Sequence, residues 1–149
     1  MVNDTQVLNN GYPMPSIGLG VYKITDEDME NVVNTAIETG YRAFDTAYFY
    51  GNEVALGKAL QNSGVDREDL FITSKLWNDY QGYDNTIEYF NQSLENLGLD
   101  YIDLFLIHWP CEKDGLYIES YNALEKLYDE GKFKAIGVCN FIQHNLEKL

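Results

Sequence analysis

Four polar residues of this 149-residue chain follow short apolar segments and have side chains suited to proton transfer: Asp45, Tyr50, Lys75 and His108. A tyrosine hydroxyl, with an ordinary pKa of about 10, is a poor acid at neutral pH unless a nearby cation stabilises the phenolate. Lys75 is a candidate for that cation, and Asp45 is a candidate for the anion that orients it. His108 is suited to donating a hydrogen bond to a carbonyl oxygen or to helping pass the proton.

Such a set can protonate an oxygen atom on which negative charge develops. Carbonyl reduction by hydride from a nicotinamide is a reaction of this kind, and a cofactor must supply the hydride because no side chain can deliver it. Each residue also has a structural interpretation. Asp45 and Lys75 can be a structural ion pair, Tyr50 is one of 12 tyrosines in the chain, and His108 can be a core histidine. The combination of all four favours catalysis.

Short apolar segments alternate with amphipathic segments of about a dozen residues, which predicts a β-α-β-α order throughout. The predicted strands are Ser16 to Tyr22, Tyr41 to Asp45, Leu70 to Lys75, Tyr101 to His108 and Ala135 to Cys139. The predicted helices are Thr25 to Thr39, Glu53 to Asn62, Asp84 to Leu97, Gly115 to Asp129 and Gln143 to Leu149. The candidate residues then lie at or just beyond the carboxyl ends of successive strands, where parallel α/β folds place their active sites.

Two architectures accept this pattern, an open doubly wound sheet and a closed (β/α)8 barrel. Length favours the open sheet, because a complete barrel usually needs about 250 residues. No linker or repeat divides residues 1–149, so we expect one α/β domain.

Composition excludes several function classes. The formal net charge of −14 and a pI of about 4.3 argue against nucleic acid and anionic membrane surfaces as partners. No signal peptide and no apolar stretch of spanning length is evident, so we expect a cytoplasmic protein. The two cysteines, Cys111 and Cys139, stand in no paired metal-ligand spacing, and we expect free thiols and no metal site.

Four segments resemble the signature motifs of the aldo-keto reductases in order and spacing. They are Phe44 to Glu53, Ile72 to Trp77, Leu106 to Pro110 and Gly137 to Phe141. Within the family, the resemblance is greatest to the bacterial reductases grouped with 2,5-diketo-D-gluconate reductase. It implies a (β/α)8 TIM-barrel type of fold with an N-terminal hairpin, here Gln6 to Met14, and about five of the β/α units. It also implies reduction of aldehydes or ketones, diketo sugar acids among them, by NADPH.

The resemblance assigns roles by motif position. Tyr50 would be the general acid, Lys75 and Asp45 the pair that stabilises its phenolate, and His108 the residue that orients the substrate carbonyl. The residues implied to bind substrate are Tyr22, Trp77, His108 and Trp109, and those implied to bind the cofactor are Val21, Tyr22, Asp45, Cys139 and Asn140. Asn140 would bind the nicotinamide carboxamide. The family commonly has serine at the position of Cys139, so we expect looser carboxamide binding here.

The chain has about half the length of typical family members, so the domain is expected to stop after the fifth strand, before the segments that bind most of the cofactor. This leaves three hypotheses. The chain is an NADPH-dependent reductase, with a homodimer completing the barrel. Alternatively, it is a non-catalytic half-barrel remnant that binds cofactor poorly. The third, a flavodoxin-like open sheet, leaves the four rim residues unexplained.

Overall fold

A computed structural model describes residues 4–112 and 114–149 of the chain. Strands and helices alternate along it, as the periodicity predicts. The strands are β1 (Thr5–Val7), β2 (Pro13–Pro15), β3 (Leu19–Gly20), β4 (Ala43–Asp45), β5 (Phe71–Leu76), β6 (Ile102–Ile107) and β7 (Phe133–Val138). The helices are α1 (Asp26–Glu38), α2 (Glu53–Asn62), α3 (Tyr83–Leu97), α4 (Tyr117–Asp129) and α5 (Gln143–Leu146).

Five parallel strands form one sheet in the order β3-β4-β5-β6-β7, which is the order of the sequence. A doubly wound sheet reverses its strand order at a switch point, whereas a (β/α)8 barrel adds each strand next to the previous one. The uninterrupted order is therefore that of a barrel. Length pointed to the wrong architecture, and the motifs pointed to the right one. Within the described residues, β3 and β7 each pair on one side only.

The first parallel strand is much shorter than predicted. β3 covers Leu19–Gly20 in place of Ser16 to Tyr22 and pairs only with Phe44 and Asp45 of β4. Close packing explains the glycine at position 18, because a Cβ there would lie 3.2 Å from the Cβ of Ala43. The short pairing is still sufficient to place Gly20 level with Asp45.

The core lies between the sheet and helices α1 to α4. In its centre Phe90 of α3 packs edge-on against Phe105 of β6 and Phe133 of β7, with ring centroids 5.4 Å and 4.3 Å away. Burying a phenylalanine side chain contributes about 1.5–3 kcal/mol. Thr25 caps α1 as predicted, since its hydroxyl accepts a hydrogen bond from the Asp28 amide at 3.3 Å. In the described residues no helix is both long and apolar enough to span a bilayer.

The predicted hairpin is present as the antiparallel pair β1 and β2. The Tyr12 hydroxyl, between these strands, donates a 2.9 Å hydrogen bond to Asp103 of β6. The other oxygen of Asp103 accepts hydrogen bonds from the Arg67 guanidinium at 2.6 Å and from the Ile72 amide at 2.9 Å. This buried carboxylate joins the hairpin to the sheet at the end opposite the predicted active site.

Candidate active site

Lys75 and Asp45 form an ion pair at the carboxyl end of the sheet. The Lys75 ammonium donates to Asp45 Oδ1 at 2.5 Å and to the Thr46 carbonyl oxygen at 2.8 Å. The strand register causes this contact, because Asp45 pairs with Thr73 and Lys75 stands one pleat further along β5. Lys75 is 5% exposed. The enclosed ammonium is therefore held by one carboxylate and one carbonyl.

Tyr50 lies on a single 3-10 turn, Tyr48–Tyr50, between β4 and α2. Gly51 comes next with a φ of +69°, a conformation that glycine adopts without strain and that turns the chain into α2. The centroid of the Tyr50 ring is 5.3 Å from Lys75 Nζ and 5.8 Å from the centroid of the His108 ring. The structure thus brings all four predicted catalytic residues together.

His108 follows β6 and is held through its backbone. Its amide donates to the Leu76 carbonyl at 3.1 Å, and its carbonyl accepts a hydrogen bond from Asn140 Nδ2 at 2.9 Å. Burial lowers the pKa of His108, the nearby Lys75 ammonium lowers it further, and Asp45 acts in the opposite direction. The imidazole is therefore neutral at pH 7. Its Nδ1 is buried and has no hydrogen-bond partner among the described residues.

Aromatic side chains enclose a shallow depression above these groups. The depression has a volume of about 190 Å³ and is lined by Tyr22, Phe49, Tyr50, Trp77, His108 and Trp109. Trp77 stacks on Phe49 at 3.8 Å and meets the His108 ring edge-on at 5.4 Å. Tyr22, which is 54% exposed, lies 4.7 Å from the Tyr50 ring. The surface suits a small molecule with an apolar part and one polar oxygen.

Sequence analysis missed two residues of this site. Phe49 forms one wall of the depression, but it stands in an aromatic segment where nothing distinguishes it from a core residue. Gln81 is 3% exposed and donates a 2.7 Å hydrogen bond to the Trp109 carbonyl, which fixes the segment after His108. The only signal for Gln81 is a polar residue two positions before the start of α3.

The three remaining predicted cofactor residues are placed differently from one another. Val21 has no exposed surface, and its amide and carbonyl are already bonded to the Asp45 carbonyl and the Asn52 side chain. Its backbone therefore links the segment after β3 to Asp45 and Asn52, and its side chain has no accessible surface for a bound molecule. Asn140 is exposed at the end of β7, with a φ of +60° and its amide nitrogen within 3.2 Å of Cys139 Sγ. Asn140 and Cys139 lie beside His108, outside the aromatic depression.

A sequence model of the Aldo/keto reductase family matches residues 16–149. The chain is 52% identical over 149 residues to a glyoxal reductase of Bacillus subtilis (strain 168), covering 99% of this chain and 53% of that protein. It is 47% identical over 150 residues to the methylglyoxal reductase DkgA of Escherichia coli O157:H7, covering 100% of this chain and 54% of the relative. The chain thus spans about half the length of the curated relatives it matches.

Solved structures show the same fold. A crystal structure of a Gox0644 mutant in complex with NADPH superimposes with a TM-score of 0.92 at 40% identity, covering 99% of this chain and 53% of that one. The similarity extends over all five parallel strands and the hairpin. It confirms that the sheet is of the barrel type expected from the motifs.

Proposed function

The chain belongs to the aldo/keto reductase family, and from that premise we propose that it carries the proton-donating site of an NADPH-dependent reductase of small aldehydes and ketones. The convergence of Asp45, Lys75, Tyr50 and His108 at one end of the sheet is the observation that carries the proposal. If Lys75 and Asp45 were only a structural ion pair and His108 only a core histidine, there would be no reason for the Tyr50 ring to lie beside both Lys75 and His108.

In this proposal each of the four side chains has a role. The carbonyl oxygen of the substrate lies over the depression and accepts hydrogen bonds from the Tyr50 hydroxyl and the neutral His108 imidazole. As negative charge develops on this oxygen, Tyr50 donates its proton. The Lys75 ammonium stabilises the resulting phenolate, and Asp45 keeps the ammonium in place.

When bound, NADPH supplies the hydride. The nicotinamide end of the cofactor fits the residues present. The exposed ring of Tyr22 offers a stacking surface next to Tyr50, and the side-chain oxygen of Asn140 has no partner among the described residues and can accept from a carboxamide. At this rim the described part of the chain provides no cluster of basic side chains for the phosphates. We therefore expect weak cofactor binding dominated by the nicotinamide.

The depression and the names of the relatives together favour small substrates for a first test. The depression has a volume of about 190 Å³ and is open to solvent, so a small carbonyl compound can reach Tyr50 and His108 from above. The Bacillus and Escherichia relatives act, by their names, on glyoxal and methylglyoxal. Small dicarbonyl compounds are accordingly the substrates that we propose to test first, with a diketo sugar acid as a larger comparison.

The decisive experiment is NADPH oxidation by the purified chain with glyoxal, methylglyoxal and a diketo sugar acid, comparing the wild type with Tyr50→Phe. Tyr83→Phe is the matched control, because Tyr83 is an exposed tyrosine at the start of α3. We expect Tyr50→Phe to lower kcat by about 10²–10⁴-fold and Tyr83→Phe to leave it unchanged.

Sedimentation in the same buffers shows whether an active species is a monomer or a dimer that completes the sheet. Equal activity of wild type and Tyr50→Phe would refute the proposed role of the tyrosine. Absence of turnover, together with no quenching of tryptophan fluorescence by NADPH, would establish the non-catalytic alternative for this chain.

A further inference from the structure

Glu53 is a buried carboxylate that the proposed proton transfer does not use. It is the first residue of α2 and is 2% exposed. Its Oε1 accepts a hydrogen bond from Ser74 Oγ at 2.7 Å, and its Oε2 accepts one from Asn96 Nδ2 at 3.0 Å. No lysine or arginine in the described part of the chain forms an ion pair with it. Burying a carboxylate without a counter-charge costs free energy, which its two hydrogen bonds and the positive end of the α2 dipole offset in part.

The contacts of Glu53 connect the segments that carry two of the candidate catalytic residues. Ser74 directly precedes Lys75 in β5, and Glu53 comes three residues after Tyr50. Asn96 lies on α3, so its hydrogen bond fastens the same carboxylate to the neighbouring helix. A displacement of the start of α2 relative to β5 would therefore change the separation of Tyr50 and Lys75.

The turn that carries Tyr50 has few hydrogen bonds of its own. It is one 3-10 turn without a side-chain cap, a geometry with weaker hydrogen bonds than an α-helix. Its internal bonds run from the Tyr50 amide to the Ala47 carbonyl at 2.9 Å and from the Gly51 amide to the Tyr48 carbonyl at 3.2 Å. Ring contacts also hold the turn, because Tyr48 packs edge-on against Tyr80 at 5.3 Å and Phe49 stacks on Trp77 at 3.8 Å. The anchoring of the start of α2 adds the hydrogen bonds that the turn itself does not supply.

A second buried side chain acts beside Glu53. Asn52 is 4% exposed, accepts a hydrogen bond from the Thr46 hydroxyl at 2.9 Å and donates one to the Val21 carbonyl at 2.9 Å. The carbonyl of the same Thr46 accepts from the Lys75 ammonium. Both residues that enter α2 are thus bonded to segments that hold Lys75.

We propose that Glu53 is a positioning residue for the proton-donating site: through Ser74 and Asn96 it fixes the start of α2 on β5 and so keeps the Tyr50 turn at its distance from Lys75. We call the three residues Glu53, Ser74 and Asn96 the carboxylate clamp. The kinetic consequence of this inference rests on the proposed function, whereas its structural consequence does not.

The kinetic test compares Glu53→Gln and Ser74→Ala with two controls. Glu27→Gln removes an exposed carboxylate from the first turn of α1, and Tyr12→Phe weakens the fold at the opposite end of the sheet. We expect the clamp variants to lose about 10- to 100-fold in kcat, as small misplacements of catalytic groups do, while their Kd for NADPH changes less than twofold. The controls should keep the wild-type kcat. A kcat for Glu53→Gln equal to that of Glu27→Gln overturns the proposal.

The second test needs no activity. Hydrogen exchange of the Tyr50 and Gly51 amides is measured in the same variants, together with the fluorescence of Trp77, which stacks on Phe49 of the turn. The measurement uses a Trp109→Phe background, so that Trp77 is the only tryptophan. We expect about fivefold or greater acceleration of exchange and altered emission in the clamp variants, with the controls unchanged.

The two proposals fail in different ways. If the wild-type chain shows no turnover, the proposed function fails, and the exchange measurement still decides the role of Glu53. If exchange of the Tyr50 and Gly51 amides in both clamp variants matches the wild type, the turn does not depend on the clamp, and the positioning role is wrong whatever the kinetics show.

Discussion

The side chain of Lys75 is 6% exposed, whereas that of Asp45, which its ammonium contacts at 2.5 Å, is 41% exposed. The Lys75 ammonium therefore depends more on this ion pair for its stabilisation than the Asp45 carboxylate does. An aspartate at this exposure keeps much of its hydration when its partner is removed, whereas an enclosed ammonium depends on its protein contacts.

Removing the carboxylate should therefore cost more stability than removing both charges. We expect Asp45→Asn to lower the free energy of unfolding by about 1–2 kcal/mol, and the double variant Asp45→Asn, Lys75→Met to recover part of that loss. Urea denaturation at pH 7 measures both. A double variant less stable than Asp45→Asn would show that the ammonium is adequately solvated without the aspartate.

His108 should make the stability of the protein dependent on pH on the acidic side. Burial and Lys75 lower its pKa in the folded chain, so its contribution is complete above the unfolded pKa of about 6.5. It is lost as the pH falls through the folded pKa, because below about 6.5 the unfolded chain binds a proton that the folded chain does not. The slope for one proton is at most about 1.4 kcal/mol per pH unit.

The chain's other histidine is the control for this prediction. His144 is exposed on α5. Urea unfolding between pH 8 and pH 5 should show a smaller loss of stability in His108→Gln than in the wild type, and an unchanged profile in His144→Gln. Parallel profiles for all three proteins would mean that His108 is solvated in the folded chain.

Tyr12 should produce the opposite dependence at alkaline pH. Burial raises the pKa of Tyr12, and the hydrogen bond to the Asp103 carboxylate raises it further. Its contribution to stability is therefore present below the ordinary tyrosine pKa of about 10 and is lost as the pH rises beyond it. Tyr12→Phe should cost about 1–2 kcal/mol at pH 7 and lose less stability than the wild type above pH 10. Tyr83→Phe, at an exposed position, should behave like the wild type in the same denaturation series.

Gly57 should not tolerate alanine although it lies within a helix. A Cβ at this position of α2 would lie 2.2 Å from the backbone oxygen of Leu97, at the end of α3. Alanine favours a helix by about 1 kcal/mol, but the backbone contact outweighs this gain, and we expect a net loss of about 1–3 kcal/mol. Gly20→Ala is the control, because a Cβ there has no neighbour within 4 Å. Equal thermal midpoints for the two variants would mean that α2 and α3 separate freely.

The sequence by itself determined the elements and the residues that end the strands. α2 begins and ends where it was predicted, and β5 and β6 differ from their predicted bounds by one residue at each end. Hydrophobic periodicity and capping residues such as Thr25 act within one or two turns of chain, so they can be recognised locally. Asp45, Lys75 and His108 could be singled out because a polar residue at the end of an apolar strand is a local pattern.

Only the tertiary structure decided which side chains meet. Phe49 faces Trp77, Glu53 bonds to Ser74 and Asn96, and Gly57 touches Leu97. Glu53 is 21 residues from Ser74 and 43 residues from Asn96 in the sequence. No local pattern marks such pairs, because they form when the sheet brings separate segments together. The choice of a barrel over a doubly wound sheet was likewise decided by strand order, which is a relation between whole elements and not a property of any one segment.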